Sequence, residues 1–372
     1  MLECVGWTAL LAACALLALA GAAAAPACSA RVVPAAPLRF PGALIHGQGR
    51  PGETDCNSPV HWSGDQLYIF NSAGDPYRAT GTSILHLEPD PTPCSYDNTV
   101  SGARWIESTY RHPDGTLYGW YHNEPLGVCP DRRDLPLTAP RIGAAHSQDD
   151  GATWRDLGFV LEAPPHTLRC DTLNGYFAGG NGDFCVVVDR RRQWVVFLFS
   201  TYWDFEEQGV AVARMRHADL VAPVGKVSKW RHGRWSEPGI GGRVTPIHRA
   251  SVDWHRADCD AFWGPSVHWN SHLSTYVMLL NRAIDRTWKQ EGVYWSTCPT
   301  LARPEAWTRP EKLMDHAELA PAMEGAPGWY PQVVGLDPRR RETDTLAGRR
   351  ARLFVHGRSR WEVLFLRPGE AP

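Results

Sequence analysis

Hydrophobic positions along the chain come in short runs separated by turn residues. Five stretches repeat one plan: an apolar strand, a tight turn, and a second strand rich in aromatic and β-branched residues. They are Asn57-Ser58-Pro59-Val60-His61-Trp62 with 66–72, 105–112 with 116–122, 183–189 with 193–202, Gly264-Pro265-Ser266-Val267-His268-Trp269 with 274–281, and 330–336 with 352–356. The first and fourth carry nearly the same word, SPVHW against PSVHW. The starts recur at about 50 to 80 residues, the period of a four-stranded unit with loops of varied length, which predicts an all-β, five-bladed β-propeller of four-stranded antiparallel blades. Outer strands are legible too: 142–146 and 159–161 in the second blade, 210–214 and 233–238 in the third, 292–296 and 306–313 in the fourth. The propeller is expected to span residues 40–368 as a single domain, with 28–39 a mobile segment ahead of it.

The second blade holds Ser147-Gln148-Asp149-Asp150-Gly151-Ala152-Thr153-Trp154, which reads S-x-D-x-G-x-T-W. The residue types suit a hairpin turn: Asp accepts backbone N–H bonds, Gly tolerates positive φ, and Trp packs beneath. The octet resembles the Asp box of sialidases and related carbohydrate-active propellers, where it is a folding element at the blade periphery and carries no chemistry.

Composition agrees with many turns and short strands, with 34 Gly and 30 Pro. Lys226, Lys229, Lys289 and Lys312 are the only lysines, and the net charge is −2 without a basic run, so nucleic acid is not an expected partner. The 17 Trp are unusual; they serve either as packing between blades or as platforms that stack on sugar rings.

An apolar run over 8–20, followed by the small residues of 21–25, predicts a signal peptide over residues 1–27 and a secreted or periplasmic product. Leu11-Ala12-Ala13-Cys14 also fits a lipoprotein box, a minor alternative. No later segment reaches the roughly 18 apolar residues of a membrane span. Outside the signal lie Cys28, Cys56, Cys94, Cys129, Cys170, Cys185, Cys259 and Cys298, an even set that in an exported chain suggests disulfides of undetermined pairing, with Cys28 the one expected to stay free. No C-x-x-C pair is present to suggest zinc.

In a propeller, starts of first strands and ends of second strands meet at one face of the central funnel. Aligning the repeats puts Asn57, Glu107, Asp183, Gly264 and Tyr330 at equivalent starts, with Asp55 and Asp260 just upstream. At the returning ends lie Asn71, His122 with Asn123 and Glu124, Tyr202 with Trp203, Asn281 with Arg282, and His356 with Arg358. The chain as a whole resembles the five-bladed glycoside hydrolases that include arabinanases and xylosidases, whose first strands carry a base, an acid and a modulator of the acid's pKa. The resemblance implies hydrolysis of glycosidic bonds, with Asp55, Glu107 and Asp183 as the catalytic carboxylates. In the arabinanase pattern the first acid directly precedes Pro and the others follow as Asp then Glu. Here the text is Asp55-Cys56-Asn57-Ser58-Pro59, then Glu107 and Asp183.

Glu124 is a further candidate acid. His122 is suited to bond a sugar hydroxyl or to neutralise a carboxylate, and Asn57, Trp203, Asn281, Arg282 and Arg358 complete the expected substrate contacts. No cofactor or catalytic metal is expected, and a structural calcium is compatible with an oxygen-lined axis. The expected partner is an oligo- or polysaccharide substrate, and the protein is expected to be a monomer. The alternatives are a non-catalytic, lectin-like propeller, or a sialidase-like exo-glycosidase in which Arg104, Arg282 and Arg358 would grip a carboxylate.

Overall fold

Five antiparallel sheets stand as blades around one axis in a computed structural model, which describes residues 28–45, 48–132, 134 and 137–371. The signal-peptide expectation for 1–27 lies outside the described residues. Blade one runs Val60–Ser63, Gln66–Ser72, Pro76–Ser83 and His86–Leu87. Blade two runs Ala103–Arg111, Leu117–Glu124, Arg141–Ser147 and Thr153–Leu161. Blade three begins with Asn181–Val188, Trp194–Thr201 and Gly209–Arg216, and ends in the hairpin Ser228–Arg231 with Arg234–Pro238. Blade four comprises Ala261–Asn270, Thr275–Ala283, Gln290–Cys298 and Glu311–Asp315.

Blade five closes the ring. Its first three strands are Gln332–Gly335, Arg350–Val355 and Arg358–Leu366, and its outermost strand is Ser29–Arg39 from the chain's other end, antiparallel from Ser29 opposite Leu366 to Arg39 opposite Arg358. The expectation that 28–39 is mobile and outside the propeller is therefore corrected. Without this strand the backbone groups of the third strand's outer edge would have no partner, and an open edge is costly.

Alternating residues of each blade face its neighbours, so the core is a set of layers between blades. Phe70, Ile106, Tyr121 and Trp154 fill the space between blades one and two, and Trp120, Phe184, Phe197 and Phe199 that between two and three. Leu198, Val267 and Leu280, then Val277, Leu279, Val333 and Leu353, fill the next two, and Phe40, Ile69, Val334 and Phe354 join blade five to blade one. These layers hold the first strands at fixed angles about the axis.

The octet at 147–154 is the hairpin turn its residues suggested. Asp149 Oδ1 accepts from Thr153 N at 2.9 Å and Asp149 Oδ2 from Thr153 Oγ1 at 2.7 Å, while Ser147 Oγ accepts from Gly151 N at 2.8 Å. Gly151 has φ +83°, and a Cβ there would meet the Phe70 ring at 2.2 Å. Trp154 is 1% exposed and packs edge-on against Phe70, pinning the turn to blade one.

The disulfide expectation is largely corrected. Among the described residues one bond, Cys129–Cys170, forms; Cys28, Cys56, Cys94, Cys185, Cys259 and Cys298 are free thiols, several of them buried. Cys56, Cys185, Cys259 and Cys298 are buried and behave as small apolar residues, Cys28 and Cys94 are half-buried, and evenness of the count carried no pairing information.

Candidate active site

The first strands of blades two, three and four each break register where they reach the axis: between Ile106 and Ser108, Gly182 and Phe184, and Trp263 and Ser266. A bulge re-aims the extra residue, here Glu107, Asp183 and the Gly264-Pro265 pair, toward the axis. Asp183 adopts φ 43°, a conformation open mainly to Gly, Asn and Asp. The glycines before it make room: a Cβ on Gly182 would meet His122 Cε1 at 2.6 Å and Pro140 at 2.9 Å.

Glu107, His122 and Asp183 therefore converge, with ligand-capable atoms all within 4.8 Å of one another. His122 Nδ1 lies 3.0 Å from Glu107 Oε1, and Nε2 lies 3.2 Å from Glu124 Oε1. Glu107 Oε2 accepts from Phe184 N at 2.8 Å. Asp183 accepts from the hydroxyls of Tyr202 and Tyr330, the latter at 2.9 Å. Both carboxylates thus have their oxygens engaged by protein donors. At 1% exposure each, Glu107 and Asp183 are sealed from solvent and do not line the cavity above them.

That cavity, about 320 Å³, is faced by two acids, Asp55 and Glu124, together with His122 and Thr138, and is walled by Trp105, Tyr176, Phe177, Trp263, Trp288, Trp329 and Tyr330. The wall is one interlocked set of rings: Trp288 stands 4.9 Å from Trp263, 5.0 Å from Tyr176 and 5.2 Å from Phe177, and its carbonyl accepts from Trp329 Nε1 at 2.8 Å. Tyr176 and Phe177 come from the loop that follows blade two, which the Cys129–Cys170 disulfide ties to the segment after Glu124.

Burial dominates the electrostatics. It pushes Asp55 well above the usual carboxylate range, and the negative charges of Glu124 and Asp183 add to the effect while His122 opposes it. Burial likewise raises Glu107 to about 7, against the hydrogen bond and charge of His122. Asp183 is raised by burial, with His122 and the two tyrosine hydroxyls pulling the other way. Burial alone would lower His122, but hydrogen bonds and charges from Glu107 and Glu124 outweigh it and raise the ring well above its ordinary value. The arrangement is a buried layer of two carboxyls and an imidazole, whose Nδ1 also accepts from Asp183 N at 3.2 Å and whose Nε2 faces a carboxyl that reaches the cavity.

Of the expected site residues, Asp55, His122 and Glu124 face the cavity, and Glu107 and Asp183 lie directly behind it. The expected substrate contacts at Asn57, Trp203, Asn281, Arg282 and Arg358 are corrected. Asn57 is buried on the axis, where its Nδ2 bonds the carbonyls of Phe184 and Pro265, both at 2.9 Å, tying blades three and four. Trp203, fully buried, bonds Glu207 Oε2 at 2.9 Å within the layer between blades two and three. Asn281 accepts from Tyr330 N at 3.0 Å and so buttresses the tyrosine that holds Asp183. Arg282 is spent on a bidentate pair with Asp260, both bonds 2.8 Å, and Arg358 stands near Glu324. Neither these two arginines nor Arg104, which stacks 4.0 Å over Tyr96, line the cavity.

Sequence reasoning missed the aromatic wall. Its signal was the count of tryptophans, but Trp263, Trp288 and Trp329 come from three separate loops and strand ends that no single period unites.

The fold defines a class: the five-bladed β-propeller. Among solved structures, a thermostable family-43 glycoside hydrolase aligns with a TM-score of 0.51 at 12% identity, over 87% of this chain and 92% of that one. Also similar are a family-43 β-1,3-galactosidase with galactodeoxynojirimycin (TM-score 0.48, 11% identity, 90% of this chain and 94% of that one) and the Cellvibrio cellulosa α-L-arabinanase complexed with arabinohexaose (0.45, 12%, 85% and 93%). No protein-family model matches the chain, and no curated protein matches it in sequence.

Proposed function

We propose that the protein is an exported glycoside hydrolase in which Asp55 and Glu124 are the catalytic pair. The observation that carries this reading is that these two carboxyls alone, among the described acids, face an aromatic-walled cavity, one raised in pKa and the other beside a cationic imidazole. Asp55 delivers the proton to the departing glycosidic oxygen, because its surroundings keep it protonated. Glu124, oriented by His122, activates water or attacks the anomeric carbon. Glu107 and Asp183 do not touch substrate. They position His122 and Tyr330, and the charge they share stabilises the imidazolium.

The wall of indole and phenol rings suits the C–H faces of sugar rings. The octet at 147–154 is read as an Asp box of sialidase type on a family-43-like propeller, a purely structural element.

The test is hydrolysis of a panel of galactans, arabinans and xylans by the wild type, Asp55→Asn and Glu124→Gln. Each variant is expected to lose about 10²- to 10⁴-fold in kcat with KM little changed. Full turnover by either variant sinks the assignment. Binding without turnover by the wild type establishes the lectin-like alternative.

A further inference from the structure

A second cavity, about 410 Å³, lies at the opposite end of blades three and four from the candidate active site. Topology puts it there: the first strand of blade three starts at the active face with Asn181 and ends in the turn 189–193, and the third strand of blade four starts at that face and ends at Cys298, just before Pro299-Thr300-Leu301-Ala302. Its walls are Arg190, Arg191 and Arg214 with Trp194, Trp269 and Tyr276.

Arg190, Arg191, Arg214 and the adjacent Arg216 have no carboxylate partner among the described residues, whereas Arg243 and Arg282 elsewhere pair with Asp204 and Asp260. Asp189, the acid that lines the cleft, turns Oδ1 onto the backbone N–H groups of Gln193 at 2.6 Å and Trp194 at 2.7 Å. Two of the three guanidiniums lining the cleft, those of Arg190 and Arg214, are also held in place. Arg214 is sandwiched between Trp194 at 3.8 Å and Trp235 at 4.2 Å, and Arg190 lies 4.4 Å over Trp269. Burial and the neighbouring Arg216 lower the pKa of Arg214, as expected of a cation that lacks a counter-ion.

We propose that this cleft is a second, non-catalytic binding site for an acidic saccharide, whose carboxylate or sulfate groups are gripped by Arg190, Arg191 and Arg214. Planar guanidiniums fixed against aromatic faces present their N–H forks to an oxyanion with little ordering cost, and such forks match carboxylate and sulfate bidentately. The positive charge is local to one cleft of a chain with net charge −2, which suits a few spaced anionic groups better than the continuous phosphate track of a nucleic acid. The choice of a saccharide rests on the glycan reading of the active-site cavity; the anion site stands without it. Such a site would hold an acidic polysaccharide against the enzyme while the opposite face acts on the chain.

The experiment is calorimetric titration of the full chain with polygalacturonate, a sulfated polysaccharide, neutral galactan, single-stranded DNA and inorganic sulfate. An acidic polysaccharide is expected to bind at least about tenfold tighter than neutral galactan, weakening as salt rises. Polygalacturonate and the sulfated polymer separate the two oxyanion sources. Arg214→Gln, and independently the exposed pair Arg190→Gln with Arg191→Gln, should weaken that binding about tenfold or more while hydrolysis of a small neutral substrate is unchanged. Binding of inorganic sulfate alone, DNA binding tighter than either acidic polysaccharide, or affinity indifferent to both variants overturns the proposal. Asp55→Asn separates the two readings: it should bind the acidic polymer as the wild type does, so loss of all hydrolysis leaves this site standing.

Discussion

His122 Nδ1 lies 3.0 Å from Glu107 Oε1, a carboxylate sealed beneath the propeller's central cavity. The other ring nitrogen reaches within 3.2 Å of Glu124 Oε1 at the cavity wall. One imidazole therefore carries the electrostatic state of a buried layer to the layer that would meet substrate. His122 stands between two carboxyls, and the hydrogen bonds and charges of both raise its affinity for a proton.

Replacing His122 by Gln should move the alkaline side of the kcat/KM profile upward. The charge of His122 holds the Asp55 carboxyl lower than burial alone would leave it. A general acid works while protonated, so activity falls as pH climbs through its pKa, and a higher pKa delays that fall. The expected displacement is about one pH unit, accompanied by a loss of about 10- to 100-fold at the optimum because Glu124 loses its orienting partner. A limb that stays put or moves down shows that Asp55 is not the acid.

Folding stability should decline between about pH 5 and 8, and Glu107→Gln should flatten the decline. The folded value of Glu107, about 7, lies above that of an unfolded carboxyl. The folded state therefore binds the extra proton, and the resulting stability is complete below the unfolded pKa and lost as pH rises through the folded one. Asp55, Asp183 and His122 are raised too and act in the same direction. For Glu107 alone the swing is about 3 kcal/mol, visible in denaturant midpoints across the range. A variant as pH-sensitive as the wild type would assign the slope elsewhere.

The double variant Cys129→Ser with Cys170→Ser should raise KM more than it lowers kcat. The bond spans 41 residues and anchors the loop carrying Tyr176 and Phe177 over the cavity, while neither cysteine touches the carboxylates. Global stability should fall by about 2 to 4 kcal/mol, read from thermal unfolding. Proteolysis should also cut first within 162–180. Unchanged KM would mean that packing of Tyr176 and Phe177 on Trp288 holds the loop unaided.

Blade architecture was readable in the sequence because each first and second strand is a dense local pattern, and the repeat itself fixes their order. The acids Glu107 and Asp183 stood out as candidates for the same reason: both sit at equivalent starts of first strands. Their depth was not readable. A register break of one residue decides whether a side chain at a strand start reaches the funnel or lies beneath it, and the pattern of residue types does not record the break. Asp55 and Glu124 reach the cavity from a loop and a strand end. Trp203 and Asn281 failed as site residues because the ends of second strands also supply the layers between blades, and an indole or amide serves either place. The edge strand Ser29–Arg39 was lost because its partner lies at the far end of the chain, beyond any local signal.

Gly182→Ala is the sharpest test of the buried layer. A methyl group at this position would stand 2.6 Å from His122 Cε1 and 2.9 Å from Cβ and Cγ of Pro140, so neither side can give without moving the other. Proline is rigid and its carbonyl bonds Asn181 N at 2.7 Å, which makes the imidazole the part that yields. Displacement of the ring by a few tenths of an ångström lengthens its bonds to Glu107 and Glu124 together. Overpacking of this size costs about 1 to 3 kcal/mol, a modest fall in Tm for a chain with five apolar layers. The rate should suffer more, by about 10- to 100-fold in kcat, because the geometry lost is the one linking the buried layer to the cavity. A variant with wild-type kcat and a lowered Tm would show that His122 serves packing alone, and the functional weight placed on the His122 bridge would have to be withdrawn.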